Sequence, residues 1–178
     1  MVSDGGGDAN GLRGGVTEAA HVGDERTALT GFLQRQRDLV AWKLRAATDE
    51  TLRGVSAPSG LSLHGVVRHL ENVERYWFRE VFAGQGGLRY DWIDEDGDAE
   101  WRVPPDVHMA DLLAAYAQET SRCDAVIEAA PSLDDVSAIR DYSLRWIIVH
   151  LIEETARHLG HLDLLRELAD GEVGEEPA

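Results

Sequence analysis

The chain has 178 residues, enough for one domain with a sizeable core and short of two typical domains. Asp and Glu number 33 against 17 Lys and Arg, a formal net charge of -16, which argues against nucleic-acid and anionic-membrane partners because both are held by clustered cations. A hydrophobic content of 43% with five Trp excludes a disordered chain, and the lone Cys123 excludes an internal disulfide or a cysteine-built zinc site.

Residues 1–23 are glycine-rich and polar, without hydrophobic period, and are expected to form a flexible leader. They lack the basic start and apolar stretch of a secretory signal, and no apolar run approaches the roughly 18 residues of a membrane span. With one cysteine and no disulfide, a soluble cytoplasmic protein is expected, with no nucleic-acid or membrane partner. The first helix is predicted from Asp24, a capping acceptor, to about Thr48, with Phe32, Leu33, Leu39, Val40 and Leu44 at core spacing. The second follows the turn signal APSG, with Ser62 as cap, and runs from about Leu63 to Phe82. Val66, Val67, Leu70, Val73, Trp77 and Val81 form its stripe, and Gly84 ends it.

The segment GQGGLRYDWIDEDGDAEWRVPP is too rich in Gly, Pro and Asp for a continuous helix, and Tyr90, Trp92 and Trp101 predict a packed connection. A third helix is predicted from near Asp106 to before Pro131, carrying Met109, Leu112, Leu113, Tyr116, Val126 and Ile127. A fourth opens after Asp141 or Ser143 and reaches about Ala169, with Leu144, Ile147, Ile148, Leu151, Leu159, Leu162 and Leu165. The ending, 171–178, reads as a flexible tail. No alternating strand pattern occurs. The expected fold is all-α: a four-helix bundle over residues 24–170, with a long connection between helices two and three.

On the fourth helix, HLIEETARHLGH places Glu154, His158 and His161 about 40°, 80° and 20° around from His150, at about 100° per residue. Glu154 and His158 fall within the apolar stripe, where an unpaired carboxylate is costly. Glu and His four apart on one helix can direct two donors at one metal ion. A third donor must come from a neighbouring helix. His69 lies at the margin of the second helix's apolar face, whereas His64 projects toward Arg68, Arg75 and Arg79, so His69 is the better candidate. His, Glu and His would leave a coordination position open for substrate, the pattern of a catalytic site. Ordinary charge pairing between Glu154 and His158 is the competing reading. His21 and His108 read as incidental. HLIEE is not a His-Glu-x-x-His motif, and Cys123 reads as a small packed residue.

Four motifs then carry a resemblance: ERTALTGFLQRQRDLVAWKL, PSGLSLHGVVRHLENVERYWFRE, DWIDEDGDAEW and IEETARHLGHLDLLREL. Together they span about 25 to 170, and the chain resembles the DinB/YfiT-like superfamily of metal-binding four-helix bundles, in its actinobacterial mini-circle-protein branch. That resemblance implies a divalent ion, zinc or nickel, held by His69, Glu154 and His158. Many members carry His where Glu154 stands; the set here is similar to that of the mycothiol-dependent maleylpyruvate isomerases. His161 stands where relatives often carry Gln and is a candidate catalytic residue near the open position.

Characterised relatives use mycothiol, bacillithiol or similar thiols, which implies a low-molecular-weight thiol cosubstrate and a small-molecule substrate for S-transfer or isomerisation. A homodimer is also implied. The alternatives are a metal-assisted hydrolase and a non-catalytic, stress-associated metal-binding bundle.

Overall fold

Side-chain caps mark where three of the long helices begin. Asp24 accepts from the Thr27 amide and opens α1 (Glu25–Leu44), and Thr48 does the same for a short α2 (Asp49–Arg53). Ser62 caps α3 (Leu63–Glu74) and Ser143 caps α5 (Leu144–Asp170), each hydroxyl accepting an amide that has no partner within its helix. The computed structural model describes residues 15–92 and 96–174. Parts of the expected leader (1–14), link (93–95) and tail (175–178) lie outside the described residues.

Among the described residues the fold is all-helical, with isolated bridges such as Ser56 to Ser62 and Val136 to Ser143, and no strand. No helix there is long and apolar enough to cross a membrane. Beyond Glu74, α3 continues as a π-helical segment, Arg75–Phe82, whose wider turn keeps Phe78 and Val81 buried and leaves Trp77 half-buried. A single 3-10 turn, Ala99–Trp101, packs on α3. The remaining long helix is α4 (Met109–Ala129). The α1 helix packs on α5, and α3 packs on both α4 and α5, so α3 and α5 face each other across one apolar core.

Four expectations are corrected. The first predicted helix ends at Leu44, and the separate α2 inserts Leu52 into the core. Phe32, expected in that core, is 48% exposed, while Arg37 takes a buried place on α1. The α4 helix starts at Met109 rather than near Asp106, because Asp49 of α2 accepts from the Met109 amide at 2.9 Å and from His108 at 2.8 Å. Packing also begins inside the expected leader: Val16 is 1% exposed, and the Thr17 amide donates to Asp38 at 2.8 Å.

Two of the interior acids, Glu74 and Glu119, are matched by arginine. Arg37 donates two hydrogen bonds of 2.7 Å to Glu74 and a third to Asp124, and Glu119 accepts from Arg79 and Arg122. The Arg37 fork on Glu74 and the two single contacts on Glu119 each satisfy both carboxylate oxygens, which the interior requires.

Candidate metal centre

The α5 helix carries Glu154 and His158 one turn apart, and α3 brings His69 against them. The Glu154 Oε1 atom lies 3.1 Å from His69 Nε2 and 3.3 Å from His158 Nε2. One donor atom from each of the three residues falls within 4.8 Å of the others. The imidazoles of His69 and His158 are tilted at 55° with centroids 4.8 Å apart, so both rings direct a nitrogen at the same carboxylate. His158 is 8% exposed and Glu154 retains a partly open side.

The turn Ala99–Trp101 closes over His69. Its Glu100 accepts from His69 Nδ1 at 2.9 Å, and the Trp101 indole stacks on the imidazole at 4.6 Å and 25°. This approach depends on Gly65: a Cβ there would sit 3.0 Å from the Trp101 carbonyl oxygen. Neither Glu100 nor Trp101 was recognisable as a site residue in the sequence. The acidic, aromatic character of the link pointed to packing, but nothing local connects Glu100 with a histidine 31 residues away.

Electrostatics follow the contacts. Burial works to lower the His69 pKa, but hydrogen bonds and charge from Glu100 and Glu154 outweigh it and raise the value to about 9. Hydrogen bonds from His158 and His69 hold the Glu154 carboxyl well below the usual range, against the opposing effect of burial. His161 is shifted down, by burial first and then by the neighbouring charges of His158 and Arg157.

The donor set fits a divalent ion. Two imidazoles and a carboxylate converge, and the hydrogens that link the rings to Glu154 occupy the directions in which those nitrogens would bind a cation. His161 Nδ1 lies 3.4 Å from His158 Nδ1, beside the cluster. The other histidines lie apart from it. His150 stacks on Trp146 at 5.0 Å and meets the Trp77 edge. His64, whose register pointed toward Arg68, Arg75 and Arg79, is held by a different partner. It is 2% exposed and bonded to Asp49 at 2.8 Å, beneath α2. Cys123 is wholly buried, and burial pushes its thiol pKa far up.

Cavity size does not mark the centre. A cleft of about 450 Å³ lined by Ser59, Leu61, Asp98, Trp101 and Arg102 borders the indole that covers His69. A larger groove of about 900 Å³, lined by Arg79, Phe82, Val126 and Ala138 among others, includes none of the three converging residues. Chemistry, rather than cavity size, therefore locates the candidate site.

The sequence model of the mycothiol-S-transferase family matches residues 28–171. No curated protein matches the chain.

Proposed function

The chain belongs to the mycothiol-S-transferase family, within the DinB/YfiT-like superfamily, and from that premise we propose that it is a divalent-metal-dependent enzyme joining a mycothiol-like thiol, through its sulfur, to a small electrophile. The four long helical segments then form the family's four-helix bundle. The observation that carries the reading is the convergence of His69, Glu154 and His158 at the junction of α3 and α5. These three residues would hold the ion, zinc or nickel, as imidazole and carboxylate donors suit both. A bound ion would supply the positive charge that favours thiolate over thiol at neutral pH.

The protein's own side chains do the rest. Glu154 brings one negative charge to a pair of imidazoles, which lowers the net charge of a cation held there. His161, half-buried beside His158 Nδ1, would accept the proton that a thiol gives up. Trp101 covers the His69 face and shields it from water. The attacking sulfur has to come from a cosubstrate, because the Cys123 thiol is wholly buried, donates to the Glu74 carbonyl and is held protonated by that burial.

Metal content and turnover test this reading together. Untagged protein is expected to carry about one divalent ion per chain, and His158→Ala to carry none and lose thiol-dependent conjugation by more than about 100-fold, beyond the cost of losing an outer-shell partner. Absence of stoichiometric metal after incubation with zinc and nickel would sink the proposal. Turnover of an electrophile without any added thiol would instead identify a hydrolase.

A further inference from the structure

We propose that Glu100 is a positioning residue for the metal centre, fixing His69 in the tautomer and ring orientation that present Nε2 as the ligand atom. The inference rests on the reading of His69 as a ligand and extends it to a residue outside the converging three.

A neutral imidazole has one bare nitrogen, and the hydrogen bond made by the other nitrogen decides which one is bare. An ionised carboxylate can only accept, so Glu100 Oε1 at 2.9 Å from Nδ1 places the hydrogen on Nδ1. The second oxygen is also committed. Glu100 Oε2 accepts from Asn72 Nδ2 at 3.0 Å, and Asn72 Oδ1 in turn accepts from Arg75 at 3.0 Å. Because the arginine can only donate, the Asn72 amide cannot turn round, so Asn72 and His69 each direct a hydrogen at one oxygen of Glu100. Glu100 is 5% exposed and Asn72 is fully buried, so water does not compete for these bonds.

Ring rotation is restrained as well. Trp101, the next residue, stacks on the face of His69 while Glu100 grips its edge. Two consecutive residues of one short turn thus restrain both tilt and spin of the imidazole. Anchoring the turn to α3 would need only one of these contacts. The paired grip, and the direction of every hydrogen in the chain, point to the ligand.

The test uses the full-length protein, stripped of metal and titrated with zinc against a chromophoric chelator. Glu100→Gln preserves the size but offers one acceptor where Asn72 and His69 need two. Its zinc dissociation constant is expected to rise about 10–100-fold, with the folded fraction at the assay temperature unchanged. Long-range ¹⁵N–¹H spectra of zinc-loaded wild-type protein should show His69 with hydrogen on Nδ1 and none on Nε2. Wild-type affinity in a folded Glu100→Gln protein overturns the inference and leaves the metal reading standing. Should that variant not fold, the wild-type spectrum decides: a His69 bearing hydrogen on Nε2 overturns it equally. No zinc uptake by wild-type protein overturns both.

Discussion

Glu74 and Glu154 are two acids drawn into one helical core, and their partners separate their roles. Glu74 is met by Arg37, whose guanidinium keeps its charge at any physiological pH, so that pair is complete and offers nothing to a cation. Glu154 is met by two imidazoles, which can give up their hydrogens and become donors. Removing one partner of the closed pair should be expensive. Glu74→Ala leaves the buried Arg37 with only Asp124, itself 43% exposed, as a counter-charge and is expected to cost about 3 kcal/mol in urea unfolding. His64 provides a pH-dependent counterpart away from the candidate metal centre. Burial lowers its pKa below 6.5, against the hydrogen bond it donates to Asp49, with Arg53 and His108 adding unfavourable charge. A depressed histidine favours its neutral form in the fold, so its contribution is complete above 6.5 and is lost as pH falls below that value. Between about pH 7.5 and 5, wild-type unfolding free energy should therefore decline more steeply than that of His64→Gln.

Among the elements, the short turn Ala99–Trp101 and the first turns of α3 are mutually dependent. Gly65 is helical, so alanine would ordinarily raise helix stability by about 1 kcal/mol. Here the added Cβ would press on the Trp101 carbonyl oxygen at 3.0 Å and on its Cα at 3.2 Å, and backbone cannot swing aside as a long side chain can. Gly65→Ala is expected to lower the urea midpoint instead of raising it, and to shift the indole resonance of Trp101; a raised midpoint would show that the turn does not need this close approach. The helix ends obey simpler rules. The α5 helix stops where Gly171 takes a φ of 76°, in the left-handed region open to glycine, and its amide returns to the Glu167 carbonyl. The π-helical stretch after Glu74 follows from no local signal in the sequence. It places Phe78 in the core and Trp77 among Tyr142, Trp146 and His150, the kind of irregularity often found near functional sites.

For the whole molecule, metal and folding should be linked. The three donors come from α3 and α5, which meet only when the chain is folded, so an ion that binds them stabilises the native state. At about 100 times its dissociation constant, zinc is expected to add about 2.7 kcal/mol. Chelation should lower the melting temperature of wild-type protein and leave that of His158→Ala unmoved; equal responses in the two would remove the linkage. The acidic excess takes a different place at this scale. Acids buried beside arginines are neutralised, and Glu154 is the half-buried acid whose partners are all titratable imidazoles.

Much of this was legible in the residues, for a local reason. Helix periodicity and the Ser62, Ser143 and Asp24 caps depend on neighbours within a turn or two, so the long helices could be placed from the sequence. The Glu154 to His158 spacing sets two donors on one ridge of α5 whatever that helix packs against. His69 was reached by its register on α3. Other features waited on the tertiary structure because they join segments far apart in the chain. Asp49 decides where α4 begins, Val16 brings the expected leader into the core, and His64 is covered by a helix the periodicity did not reveal. Glu100 and Trp101 reach His69 only because a glycine on α3 lets a loop backbone lie against it. Spacing along one helix determines which side chains share a face, whereas the packing of distant segments determines what that face meets.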